Sequence, residues 1–362
     1  MSCVLTMLCP NHDERIVSRS IGVCSECIEE GLKSIAQWTH ETLRIREGLV
    51  PAVPQSGTTI CGECGNHCRI EEGEMGFCNL RVAKASKIVE RYPGQAVVSW
   101  YYDPLPTNCV ADWVCSLTKE RKQGVVQKRL KNLAVFYGSC NSDCLFCQNG
   151  SHRRMMAQGK PLMTPQELAD AADDYTACVC FFGGDPAPNS EHSLETSRLL
   201  NEERHVRVCY ETNGNISQKW LEDIARVVID TGGTFKFDIK AVSPNLYREL
   251  TGVSNSVMLR NFREISSMNK VCDKEFLVAS VLLVPGYVGI QEIRRICDFI
   301  AENDPTIPTT FLGFYPHHAM SDLPRTSHTH ADSTIETAKE LGLTNVRIGN
   351  RGLLGSDGYR FD

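Results

Sequence analysis

The chain has 362 residues, 42% of them hydrophobic and 23% charged, with a formal net charge of −6. That length suits about two average domains, or one barrel with an extension, and the ordinary composition excludes a fibre or a disordered chain. The acidic balance excludes the basic footprint that a nucleic-acid partner demands, and no apolar run approaches the roughly 20 residues that span a bilayer.

The exceptional number is 18 cysteines. Met1–Pro10 lacks the basic and apolar regions of a secretory leader, so a disulfide scaffold is not expected. The expectation is a cytoplasmic protein without membrane or nucleic-acid partners, its thiols reduced or metal-bound. The cysteines divide the chain into a Cys-rich region over 1–80, a connector over 81–132 and a β/α repeat over 133–362.

In the first region, Cys9 and His12, then Cys24 and Cys27, form two knuckle-like pairs. Three thiolates and one imidazole make the closed tetrahedral set of a structural zinc site. Cys61, Cys64, Cys68 and Cys78 follow at CxxCxxxCx9C spacing among polar and Gly-rich residues, which argues against unligated core thiols. Four thiolates fit zinc, a single iron or an iron–sulfur cluster, and spacing does not choose between them.

The connector carries Trp100, Tyr101 and Tyr102, then Thr107–Cys115, whose Cys109 and Cys115 either complete another site or are simply buried. Lys119–Lys131 has six basic residues against one acid. It reads either as a solvated helix face or as a docking surface for an acidic partner or electron donor.

The third region alternates short apolar runs with amphipathic segments. The runs are Asn132–Gly138, Ala177–Gly184, Val206–Gly214, Thr234–Lys240, Phe276–Gly286, Thr309–Pro316 and Asn345–Asn350. Near-continuous hydrophobicity is what parallel strands buried on both faces show. Between them, Thr164, Pro165 and Glu167 make a capping signature, Ser217 can cap the next helix, and Ile290, Ile293, Cys297 and Ile300 share one helix face. Right-handed βαβ units of this kind close into a full or partial barrel, with chemistry at the C-terminal ends of the strands. Cys178, Cys180, Cys209, Cys272 and Cys297 fall on apolar faces and read as small core residues.

Directly after the first run comes Cys140-Asn141-Ser142-Asp143-Cys144-Leu145-Phe146-Cys147. Three thiolates at this spacing can hold three irons of a [4Fe–4S] cube and leave the fourth open to an exogenous ligand. The motif, with Phe146 before the last cysteine, resembles the signature of the radical S-adenosylmethionine (SAM) superfamily. Gly183-Gly184-Asp185-Pro186 resembles the element that meets the SAM amino group. Glu211-Thr212-Asn213-Gly214, the pair Asp238 and Lys240, and the turn Val284-Pro285-Gly286 match further elements in order. Across 61–350 the chain is most similar to the pyruvate formate-lyase activating-enzyme branch and its archaeal relatives, which carry a Cys-rich N-terminal extension.

The resemblance implies an α/β fold: a partial (β/α)6 TIM-like barrel of radical SAM type behind a Cys-rich metal-binding N-terminal region. It implies Cys140, Cys144 and Cys147 as cluster ligands and catalytic centre. SAM contacts are expected from Phe146, Gly183, Gly184, Asp185, Glu211, Asn213, Asp238, Lys240, Val284, Pro285 and His317, the last near the mouth beside His318. A low-potential electron donor and a protein or peptide substrate are the expected partners. The specific expectation is C-methylation of a protein residue, a glutamine in methyl-coenzyme M reductase, with cobalamin between the barrel mouth and the connector near Tyr101 and Trp113. Activation of a glycyl-radical enzyme is the alternative, and a non-enzymatic metal-binding or electron-transfer module the second. No DxHxxG cobalamin-binding signature is present.

Overall fold

A computed structural model of the protein describes residues 7–105, 107, 109–124, 130–272, 275–356 and 358–361. Cys3, Asn108 and the stretch 125–129 of the basic run lie outside the described residues. The centre is a nine-stranded sheet: β1 (Ala96–Pro104), β2 (Lys131–Tyr137), β3 (Leu162–Met163), β4 (Thr176–Gly183), β5 (Arg207–Thr212), β6 (Phe235–Asp238), β7 (Leu277–Leu283), β8 (Thr309–Gly313) and β9 (Val346–Ile348). Its order is β9-β8-β7-β6-β5-β4-β2-β1-β3. β2 and β4 to β9 run parallel. The two ends of the sheet do not pair, so the sheet curls into a partial barrel.

Strand alternation sorts the side chains. Leu133, Val135, Tyr137, Val179, Phe181, Val208, Tyr210, Phe235 and Phe237 all point to the helical layer at 0% exposure. The opposite parity faces the lumen and mixes polar groups and thiols with an aromatic ring: Asn132, Cys178, Cys180, Phe182, Cys209 and Lys236. The expected caps form. Thr164 and Glu167 close a reciprocal capping box, and Ser217 Oγ accepts from the Lys219 amide. On helix Ile290–Asn303 the expected Ile293, Cys297 and Ile300 are buried, joined by Glu292, Ile296 and Phe299, while Ile290 at the first turn is half-buried.

Two features were not legible. The connector adds β1 to the sheet, antiparallel to β2 from Val98 opposite Tyr137 to Pro104 opposite Lys131. In the front region a helix over Ala36–Arg46 buries Thr39, His40 and Arg44 against the barrel. The front region docks on the loops after β7 and β8: the Ser18 amide donates to Tyr287 Oη (2.9 Å), and Ser18 Oγ donates to Asp322 (2.9 Å). Gly286 packs so closely there, at φ +80°, that a Cβ would stand 2.3 Å from the Ile16 carbonyl. Among the described residues no helix is long and apolar enough to cross a membrane.

Candidate functional site

β2 ends at Tyr137, and the chain turns at once into the loop carrying Cys140, Cys144 and Cys147. Buried Leu145 and Phe146 hold it down, and the Leu145 amide donates to the Leu250 carbonyl (3.0 Å). The three thiols are free and line one pocket of about 180 Å³ at the C-terminal mouth. Burial pushes all three above the usual thiol range, Cys144 to about 12. Thiolates form here only against a positive metal centre, which is how a ligand set behaves.

Phe146, Gly184, Asp185, Glu211, Asn213, Asp238 and Lys240 line the same pocket. Gly184 sits at φ +60°, where a Cβ would lie 2.3 Å from the Tyr137 carbonyl and 2.4 Å from that of Ser139. Only glycine lets β4 end this close to the cysteine loop. Asp185 Oδ1 accepts from the Ala187 amide (2.8 Å) and Thr212 Oγ1 (2.9 Å), and Oδ2 from the Asn213 amide (2.8 Å). Burial raises its pKa to about 6, against the pull of those donors. Asn213 Nδ2 in turn donates to Asn141 Oδ1 (2.8 Å) and Ser142 Oγ (3.0 Å). The three motifs are therefore one hydrogen-bonded unit.

Lys240 Nζ pairs with Asp238 at 2.5 Å. Burial opposes its charge, but Asp238 and the Cys144 sulfur hold the ammonium well above its usual range. Beside them the buried Tyr247 hydroxyl has no partner among the described residues. A free-thiol triad, a glycine cradle, a matched pair of charges and an unpaired hydroxyl fit a cluster with a zwitterionic ligand.

Other expected residues lie elsewhere. Gly183 is buried beneath Phe136, where a Cβ would meet the ring at 1.7 Å. Val284 and Pro285 are buried at the turn that receives the front region. His317 is exposed, while half-buried His318 sits at φ +50° with its pKa lowered by burial. The connector reaches the mouth end of β2 through Val97 and Val98, with the Gly138 amide donating to the Val97 carbonyl (2.7 Å), whereas Tyr101 pairs with Ala134 midway along β2 and Trp113 Nε1 donates to Thr310 Oγ1 (3.2 Å) near the start of β8.

Sequence reasoning missed what clamps the loop. Asp143, 1% exposed, lies between two of the cysteines and pairs with Arg153 (2.6 Å), His40 (2.6 Å) and Arg44 (3.3 Å). Burial would raise its pKa, but the His40 hydrogen bond and both guanidiniums hold it far below the carboxylate range. An acid inside a metal-binding loop was the available signal.

In the front set, Cys9 and Cys27 Sγ are 3.6 Å apart, Cys24 and Cys27 Sγ 3.7 Å, and His12 Nδ1 is 3.3 Å from Cys24 and Cys27. His12 Nε2 faces Glu26 (3.6 Å), the carboxylate that typically orients a metal-bound imidazole. Among the described residues this is the one group of three or more such ligands lying within 4.8 Å of one another. Cys61, Cys64, Cys68 and Cys78 are all buried but stand wider. Their segment abuts the cysteine loop, with Asn66 Nδ2 donating to the Asn141 carbonyl (2.8 Å).

Fold and site make an α/β partial barrel with a three-cysteine pocket at the C-terminal mouth of its parallel strands. The model of the Radical SAM superfamily matches residues 134–300, which take in the cysteine loop and every pocket-lining motif. An uncharacterized protein of Methanocaldococcus jannaschii is 25% identical over 313 residues, 84% of this chain and 85% of the relative. A second from the same organism is 24% identical over 218 residues, 57% of this chain and 60% of that relative. Two solved structures are similar to this chain over part of their length. Streptococcus suis SuiB bound to precursor peptide SuiA has 14% identity and TM-score 0.45, covering 67% of this chain and 52% of that one. A radical SAM methyltransferase from Sphaerobacter thermophilus has 14% identity and TM-score 0.45, covering 60% and 66%.

Proposed function

We propose that this chain is a radical SAM enzyme in which Cys140, Cys144 and Cys147 hold a [4Fe–4S] cluster, SAM lies in the mouth pocket, and a protein segment is the substrate. The observation that carries this is the loop of three free thiols in one pocket with the glycine cradle and the Asp238–Lys240 pair. When bound and reduced, the cluster supplies one electron that splits SAM into methionine and a 5′-deoxyadenosyl radical, the abstractor of substrate hydrogen.

The chain's own residues position and shield. Gly184 gives backbone approach, Asp238 and Lys240 offer opposite charges to the amino and carboxylate groups of SAM, and Asn213 fixes the loop through Asn141 and Ser142. In the front set we assign zinc to Cys9, His12, Cys24 and Cys27. The 3.6 and 3.7 Å sulfur separations match the edge of about 3.8 Å that a tetrahedron with Zn–S near 2.3 Å requires. Cys61, Cys64, Cys68 and Cys78, which stand wider, hold zinc, iron or an iron–sulfur cluster.

The finer reading, C-methylation of a glutamine in methyl-coenzyme M reductase with cobalamin, rests on the resemblance alone. Its rivals are a glycyl-radical activase and a non-enzymatic electron carrier. The test is anaerobic reconstitution with SAM, dithionite, cobalamin and a glutamine-containing peptide. 5′-Deoxyadenosine is expected from the wild type and none from Cys140→Ala, Cys144→Ala or Cys147→Ala; variants that keep the wild-type rate end the radical SAM reading. A bound corrinoid and a peptide heavier by one methyl support the methylase. Normal 5′-deoxyadenosine with neither sinks it and favours the activase.

A further inference from the structure

Beneath the mouth pocket the lumen holds a second cavity of about 190 Å³. Five free cysteines line it: Cys109 and Cys115 from the connector, Cys178 and Cys180 on β4, and Cys209 on β5. The strand cysteines were expected as core filler. Alternation instead turns all three inward, and the register sets Cys180 beside Cys209. Inward positions of such barrels are ordinarily filled by Val, Ile and Leu.

The same cavity contains a buried ammonium. Lys236, its side chain 1% exposed, has Nζ 3.0 Å from Cys180 Sγ, 3.5 Å from Cys109 Sγ and 3.3 Å from Glu211 Oε2. An ammonium at that depth is costly unless negative charge surrounds it. Glu211 supplies one such charge at 3.3 Å, but from a side chain 26% exposed that also lines the mouth pocket, and neutral thiols add none. Metal-bound thiolates do supply it.

Spacing decides what kind of centre fits. A single tetrahedral ion draws its thiolates to about 3.8 Å, as in the front set. Among the described residues no three of these thiols lie within 4.8 Å of one another. In a cluster, different irons bind different thiolates, and the sulfurs stand wider. We propose that Cys109, Cys178, Cys180 and Cys209 ligate an iron–sulfur cluster in the barrel lumen, with Lys236 as its buried counter-ion. The site adjoins the mouth pocket, sharing Phe182 and Glu211 with it.

The test counts iron and acid-labile sulfide in the full chain, reconstituted anaerobically, for the wild type and for Cys180→Ser/Cys209→Ser. The double variant is expected to lose about two or more irons per chain with matching sulfide. The SAM-induced change in the electron paramagnetic resonance of the mouth cluster should persist, so failure of the mouth reading and failure of this one are told apart. Iron and sulfide equal to wild type overturn the proposal and return these cysteines to core filler. Should the double variant not fold, the near-isosteric Cys180→Ser decides. A changed resonance spectrum is expected from oxygen replacing sulfur on iron, and a spectrum identical to wild type overturns the proposal.

Discussion

Asp143→Ala isolates the clamp on the cysteine loop. The carboxylate is 1% exposed, and its removal takes the shared partner from Arg44 and Arg153, with side chains 4% and 3% exposed; Arg153 keeps Glu47 (2.7 Å), so Arg44 is the buried charge left without a carboxylate. Breaking a buried pair in this way costs about 3–5 kcal/mol, most of it from the orphaned charge. Unfolding entropy of about 2.1 cal/mol/K per residue gives ~0.76 kcal/mol/K over 362 residues, so the melting temperature should fall by about 4–7 °C if the chain unfolds as one unit. The assay is calorimetry of metal-free protein at neutral pH, beside iron content after reconstitution. Asp143→Asn adds a sign test. The native pKa is depressed, so the stabilising charge is present above the unfolded value of 3.8 and is lost as pH falls below it. The gap between wild type and Asp143→Asn should hold at pH 5–7 and shrink below about 4. An Asp143→Ala protein melting within about 1 °C of wild type, or a gap indifferent to pH, would refute the clamp.

Gly184→Ala should abolish measurable SAM binding, because a Cβ would stand 2.3 and 2.4 Å from two carbonyl oxygens and L-residues resist φ +60°; equilibrium dialysis with SAM checks it, and wild-type affinity would remove the cradle argument. Cys24→Ala should lose one metal and lower the melting temperature while the mouth cluster's spectrum survives at low temperature, read by metal analysis and visible absorption. Full metal content would strike Cys24 from the ligand set.

Legibility followed where burial speaks through hydrophobicity. The seven strands appear within a few residues of their apolar runs because each hides one face among helices. The capping box at Thr164 was readable because its chemistry is local. Helix Ala36–Arg46 was not, since the face it buries carries Thr39, His40 and Arg44 and has no apolar stripe. Its burial is driven by the complementary charge of Asp143, roughly a hundred residues away, and periodicity cannot see such a partner. β1 was hidden for a related reason. Ala96, Val97 and Val98 are buried, but Tyr101 and Tyr102 are both exposed though they point to opposite faces, so alternation fades along the strand. The pocket motifs sat at strand ends, where sequence order is enough to gather them. The lumen cysteines did not, because a thiol on a strand reads the same whether its neighbours are methyls or other thiols.

The front region is mechanically part of the catalytic end. A metal held by Cys9, His12, Cys24 and Cys27, as proposed above, would fix 9–27, and the following turn fixes the next helix: the Ile35 amide donates to the Ile21 carbonyl (3.0 Å) and Thr39 Oγ1 to the Ser20 carbonyl (2.8 Å). One turn on, His40 and Arg44 hold Asp143. Arg44 also donates to the Phe77 carbonyl (2.6 Å), next to Cys78 of the second thiol set. Losing the front metal frees the start of this helix, and the clamp then depends on Arg153 alone. Helices open from such ends at far lower free energy than a core does. The damage of Cys24→Ala should therefore appear at the mouth on warming: the cluster spectrum should bleach before the barrel melts, at a temperature at which the wild type still holds its iron. Simultaneous loss of spectrum and fold would mean that the front region only adds stability and transmits nothing to the loop.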